Sequence, residues 1–234
     1  MDWIPYSKLD EDRITIAKEI KYKNKMAFTY KMFHTYTEVM QFLHEQKEPM
    51  NYYELIRNKK QRLYFDIDCD KDITMERWNS ELQTFVDVLM EVLQSKQCAI
   101  FSSTNLHIKH KFSNHIIILD KHINHVTEAK LYTYFLKYHC NLTKDLFITQ
   151  YIDMCVYKSN QLMRIQNSEK MNSSRPKKLI KIIGNYKYSQ QTSPLYFVQF
   201  ITTSKHIDFS IIDHKVKENF RDYHSNEYRY PELH

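Results

Sequence analysis

The chain of 234 residues contains one glycine, against the ~7% usual in globular proteins. That excludes whole classes of nucleotide site, because neither a Walker A loop nor a dinucleotide fingerprint can be written with a single glycine. Turns must then be made by Asn, Asp, Ser and Pro. Disulfide and zinc frameworks are missing too. Cys69, Cys98, Cys140 and Cys155 are far apart and form no C-x-x-C pair, so they read as reduced thiols of an intracellular, reducing compartment. No apolar run approaches the ~18 residues of a membrane span. The start, MDWIPYSKLDEDR, is too charged for a signal peptide. The expectation is a protein that is neither secreted nor membrane-bound.

What is present suits a folded core: 42% of residues are hydrophobic and 14% aromatic. The length fits a single domain over 1–234, or two lobes of one, and no linker forces a boundary. Net charge is +6 with twelve histidines besides, which suits a polyanionic partner. Heavy use of Lys, Ile, Asn and Tyr is what an AT-rich genome encodes. Helices are expected at 36–46, with Val39, Phe42 and Leu43 on one side; at 75–95, through Trp78, Leu82, Phe85, Val86, Leu89 and Leu93; and at 126–140, through Leu131, Phe135 and Tyr138. Thr74 or Asp72 can cap the second. Strands are expected at 62–69, 98–103, 113–119, 162–166, 179–183 and 195–202. The order of strand, helix, hairpin, helix and further strands predicts an α+β (mixed α/β) fold, a sheet with helices packed on it.

Residues 62–70 read RLYFDIDCD. Leu63, Phe65 and Ile67 alternate with Tyr64, Asp66 and Asp68, the pattern of a strand with one buried face. Asp66 and Asp68 therefore project side by side, roughly 6–7 Å apart at the backbone. Neighbouring anions repel and resist desolvation, so something positive belongs between them. A hard divalent cation with oxygen ligands is the natural partner; two solvated acids at a frayed strand end are the bland alternative.

In KFSNHIIIL, residues 111–119, Ser113, His115 and Ile117 share one strand face. A hydroxyl and an imidazole entering an apolar strand suit an anion, and Lys111 adds a point charge. In IDMCVYKSNQLMRIQNSEK, residues 152–170, Asp153 precedes an apolar pair, and Arg164 and Lys170 follow. One acid and two cations near a short strand could complete a metal–triphosphate site.

Taken in order, apolar-Asp-x-Asp, S-x-H, then Asp…VY…R…S-x-K, the motifs resemble the archaeo-eukaryotic primase superfamily. The likeness is to its primase-polymerase branch and to primase domains of large DNA viruses, and it covers about residues 60–170. The resemblance implies an RRM-like sheet with flanking helices. It implies Asp66, Asp68 and Asp153 as ligands of two Mg²⁺ or Mn²⁺ ions, with His115 beside them in the catalytic site. Lys111, Ser113, His115, Arg164 and Lys170 would face the nucleotide's phosphates. The activity implied is template-dependent nucleotidyl transfer by a two-metal mechanism, making primers for DNA replication. The partners implied are a single-stranded DNA template, NTPs or dNTPs, and a helicase in the same chain or complex. If the source is viral, the work would be done at the host cell's replication site. The sequence departs from the branch at Gln161, where an Arg is common, and at His34 and Thr35, where an Arg often stands. The zinc module that often follows such domains is not expected in residues 1–234, whose four cysteines form no cluster.

Residues 170–181 carry five Lys or Arg and no acid. Arg175, Lys177, Lys178 and Lys181 are read as phosphate contacts to nucleic acid. The Tyr- and Arg-bearing tail, 220–234, could stack unpaired bases. The pairs His107/His110 and His122/His125 read as surface residues. Three competitors share part of this pattern: a non-catalytic primase-like module that binds DNA or a partner, a D-x-D glycosyltransferase, and a metal-dependent nuclease.

Overall fold

Among the described residues, two mainly antiparallel sheets carry the chain, with three α-helices. The computed structural model describes residues 2–47, 50–104 and 111–184, and beyond these 197–201, 204–210, 212, 216 and 217. The expected α+β class is what the structure shows.

The first sheet has the order β2-β1-β3-β7. Its strands are β1 (Ile14–Tyr22), β2 (Lys25–Phe33), β3 (Tyr52–Ile56) and β7 (Gln161–Arg164). The β1–β2 hairpin was not expected from the sequence. Its register is unbroken from Ile14↔Phe33 to Tyr22↔Lys25. The turn rests on Lys23 and Asn24, at φ 46° and 62°, the two left-handed positions of a two-residue hairpin loop.

The second sheet has the order β4-β6-β5-β8, with the two-residue β9 (Lys205–His206) on the far end of β6. Its strands are β4 (Gln61–Cys69), β5 (Cys98–Ser102), β6 (Phe112–Ile123) and β8 (Lys178–Ile183). Because β4 and β5 both run antiparallel to β6, they are parallel to each other. Helix α2 (Met75–Val92) makes the crossover between them, and α3 (Val126–Lys144) follows β6. Thr74 caps α2, accepting from the Arg77 N–H.

The face of β4 bearing Phe65 and Ile67 packs against the helices. Phe65 meets Phe85 edge-on, and Trp78 donates its indole N–H to Asn114 Oδ1 at 2.8 Å. The opposite face carries the polar motifs. α1 (Tyr36–His44), capped by Thr35, covers the first sheet with Val39 and Leu43. Tyr138, placed on a buried stripe by the sequence pattern, is exposed on α3.

The expected strand at 195–202 is not there: its described part, 197–201, forms a bend and turn. Buried Glu54 of β3 accepts the N–H groups of Val198 (2.7 Å) and Gln199 (2.9 Å). A carboxylate thus takes the donors that a neighbouring strand would have used, while Phe197 and Val198 still bury their side chains. Turn chemistry follows glycine's scarcity: among the described residues, Asn, Asp and Ser hold six of the eight non-glycine left-handed positions, four of them Asn. The one glycine, Gly184, has φ 99°, and a Cβ there would lie 2.1 Å from the Lys96 carbonyl oxygen, so no other residue fits.

Candidate active site

The β4–β6 register sets the site. Asp66 lies opposite His115, and Asp68 opposite Ser113. Phe101 of β5 lies beside His115, so these side chains share the sheet face away from the helices. Lys111 Nζ bonds Asp68 Oδ2 at 2.5 Å. Its ammonium thus supplies the positive partner that a carboxylate pair requires, from the loop entering β6.

Among the described residues, Asp66 has no ammonium or guanidinium within ion-pair distance. His115 Nε2 stands 3.4 Å from its Oδ1, without the geometry of a hydrogen bond. Asp66 Oδ1, Asp68 Oδ1 and both His115 ring nitrogens are buried without a hydrogen-bond partner among the described residues. Burial, and then the charge of Asp68, push Asp66 up to about 7. Burial holds His115 well below its ordinary value, reinforced by the charges of Lys177, Arg164, Lys170 and Lys111. Its imidazole is therefore neutral at neutral pH and offers one donor and one acceptor. Unpartnered carboxylate oxygens beside a neutral imidazole are a donor set that fits a hard divalent cation.

Asp153 comes from the segment after α3. An isolated bridge pairs Ile152 with Ile67, and the Asp153 N–H donates to the Asp66 carbonyl at 2.8 Å. Asp153 therefore stands across from Asp66 at the outer edge of β4, and its charge helps raise Asp66. Two tyrosines lock this segment: Tyr64 Oη donates to the Val156 carbonyl (2.7 Å), and Tyr157 Oη to the Tyr64 carbonyl (2.6 Å). The Asp153 carboxylate itself accepts from the Cys155 N–H at 2.8 Å. It folds back on its own turn, and among the described residues no three His, Cys, Asp or Glu side chains converge to hold a metal. The close triad of carboxylates expected from the sequence is thus not assembled in this structure.

Arg164 arrives from the other sheet, at the end of β7. Its Nη2 donates to Ser103 Oγ (2.9 Å), and Ser103 Oγ bonds Ser113 Oγ (2.9 Å). This relay joins the third motif to the second. Ser103 and Thr104, whose Oγ1 accepts from the Ser113 N–H, were missed in the sequence; the signal was the polar run SST ending an apolar strand. Lys170 is exposed, on a loop fixed by a Met50–Ser168 bridge.

Of the basic residues read as nucleic-acid contacts, Lys178 and Lys181 are exposed and Arg175 is half-buried. Lys177 is a correction. It is 1% exposed, donates to the Arg164 carbonyl at 2.8 Å and lies 4.7 Å from the Phe101 ring centre. Burial, then Arg164, lowers it to about 7. A basic run looks solvated in sequence, yet β5 and β7 enclose this member of it. Of the histidine pairs, His107 and His110 lie outside the described residues, as does the 220–234 tail. His125 is exposed, but His122 is buried and bonds Ser204 Oγ at 2.8 Å. No protein-family model matches the chain, and no curated protein matches it either.

Proposed function

We propose that this chain is a metal-dependent, template-directed nucleotidyltransferase of the archaeo-eukaryotic primase type, a primase or primase-polymerase. The observation that carries the reading is the pairing of Asp66 with His115 and Asp68 with Ser113 on adjacent strands, with Arg164 joined to Ser113 through Ser103. Carboxylates for a cation and a hydroxyl–imidazole–guanidinium row for phosphate thus stand on one face. The β-α-β-β-α run from β4 to α3, with β6 between β4 and β5, supports an RRM-like core. Ile152 occupies the place beside β4 where the last strand of such a core belongs.

Asp66 and Asp68 would hold the Mg²⁺ or Mn²⁺ ions, with Asp153 joining them once its carboxylate leaves the Cys155 N–H. Bound there, two such ions activate a 3′-hydroxyl and steady a leaving pyrophosphate. The chain's own residues would do the rest. Ser113 and neutral His115 hydrogen-bond phosphate oxygens, while Arg164 and Lys170 neutralise their charge. Lys111 would move from Asp68 to phosphate when a cation takes its place. Single-stranded DNA, NTPs or dNTPs and a helicase are the partners that this reading implies.

The test is incubation of the protein with single-stranded template, Mg²⁺ or Mn²⁺ and each nucleotide pool. New oligonucleotides support a primase, and extension of a supplied primer alone supports a polymerase. A shortened template would mean a nuclease. Binding without synthesis would mean a non-catalytic module.

A further inference from the structure

The β1–β2 hairpin outruns the sheet it belongs to. β1 pairs with β3 only over Ile16–Lys18, and its last backbone link to that side is the Glu19 N–H to the Asn51 carbonyl. Beyond it, Ile20–Tyr22 and Lys25–Ala27 pair only with each other. The result is a two-stranded ribbon standing roughly 10 Å clear, at about 3.3 Å per residue. Its end reads Lys21-Tyr22-Lys23-Asn24-Lys25-Met26, every residue exposed and none acidic.

Charge along the ribbon has one sign. From Arg13 to Thr37, both included, there are six Lys or Arg and one acid, Glu19. Glu19 is buried and committed inward, accepting from Tyr53 Oη (3.0 Å) and the Met171 N–H (2.7 Å). It leaves the tip's charge uncompensated. Tyr22 is 59% exposed, with Lys23 Nζ 5.3 Å from its ring centre. On the same strand face, toward the base, Lys18 stands over Trp3 and Tyr52, and Lys31 stands 4.5 Å from the Phe42 ring centre. Glu19 projects from the opposite face of β1, the one it shares with Lys21. Its bond to Met171 docks the Lys170 loop against the ribbon's base on that side, so the Lys21 side of the ribbon adjoins the proposed nucleotide site.

We infer that the β1–β2 ribbon is a contact surface for single-stranded nucleic acid, with Lys21, Lys23 and Lys25 on backbone phosphates and the Tyr22 ring stacked on a base. This rests on the nucleic-acid reading of the site but not on catalysis. Cations interleaved with an exposed aromatic ring are what sequence-independent single-strand binding uses.

The experiment is fluorescence anisotropy of a labelled 30-mer single strand, titrated with the full chain across a salt series. Each phosphate contact contributes about 0.7 to the slope of log affinity against log salt. Lys21→Gln/Lys23→Gln/Lys25→Gln should lower the slope by about 2 and the affinity at least tenfold near 0.1 M salt. Tyr22→Ala should cost about five- to a hundredfold with the slope unchanged. A triple variant with wild-type affinity and slope overturns the proposal, as does a wild type that does not bind the strand. Equal retention of the wild type by anionic lipid vesicles, lost in the triple variant, would assign the surface to a membrane and also overturn it. Circular dichroism and melting temperature confirm the fold, and single Lys→Gln variants, each expected to lose about 0.7 of slope, serve if the triple variant misfolds. If nucleotide incorporation fails while the tip variants lose binding, the catalytic reading falls and this one stands. If incorporation succeeds while the tip variants bind normally, the reverse holds.

Discussion

Asp66 is the residue on which the site turns, because its carboxylate is half-buried beside a second acid and lacks a cation of its own. On the proposed function, Asp66→Ala and Asp68→Ala should each abolish nucleotide incorporation, with single-strand affinity within about twofold of wild type, since lysines elsewhere would hold the backbone. Substantial synthesis by either variant in the template assay would remove the metal assignment. Protonation gives a second check. The folded-state value of Asp66, about 7, lies above that of an unfolded carboxyl near 4. Folded protein therefore holds the extra proton between these limits, and stability from this group falls as pH rises through that window. Lys177, at about 7 against an ordinary value near 10.5, has the opposite sign: its cost is complete below pH 7 and fades as pH rises toward 10. His115, held neutral, costs stability only below its ordinary value, so comparison with variants is needed to separate the groups. In metal-free urea denaturation, Asp66→Asn should gain on wild type from pH 4 to 7. The advantage of Lys177→Met over wild type should shrink from pH 7 to 10. Flat differences across both windows would mean that neither group is desolvated.

At the scale of elements, the β4–β6 ladder does the positioning, and most of it was legible. Alternation in RLYFDIDCD and the β-branched run that follows Ser113 and His115 announce strands, and the recurrence of Trp78, Leu82, Phe85 and Leu89 announces α2. What was not legible depends on partners distant in sequence. Ile14, Ile16, Ile20 and Tyr22 do alternate in β1, but lysines break the apolar face and the Lys23–Asn24 turn carries no glycine signal. LYFVQFIT has the composition of a strand, yet Glu54, over a hundred residues earlier, takes its backbone donors. Lys177 looks like its exposed neighbour Lys178, and only Phe101 and the Arg164 carbonyl distinguish them. One element invites a direct test. The β5–β8 edge closes around Gly184, where a Cβ would strike the Lys96 carbonyl oxygen. Gly184→Ala should destabilise by about 1–3 kcal/mol, seen as a lower urea midpoint with unchanged slope. Asn24→Gly, at a left-handed position with open space around the turn, should be neutral or slightly stabilising.

Across the whole molecule, two sheets meet at the candidate site and each supplies part of it. Asp66, Asp68, Ser113 and His115 belong to one sheet; Arg164 belongs to the other, and Lys177 bonds across to it. Among the described residues neither cation has a carboxylate within ion-pair distance. An added polyphosphate anion should bind at this junction and stabilise the fold by mass action, by about 2.7 kcal/mol at a hundred times its dissociation constant. Inorganic pyrophosphate should therefore raise the melting temperature of wild type, and Arg164→Ala should lose most of that rise. An equal rise in both would place the anion elsewhere. The scarcity of glycine reaches further than nucleotide loops. Among the described residues, eight left-handed positions are held by side-chain-bearing residues, each of which accepts some backbone strain in the native state. The same substitutions leave the unfolded chain fewer conformations to lose on folding, an effect of about 0.4–1 kcal/mol per site. The turns of this protein are thus paid for in native strain, and the denatured ensemble is stiffer at those hinges than a glycine-rich chain of equal length would be.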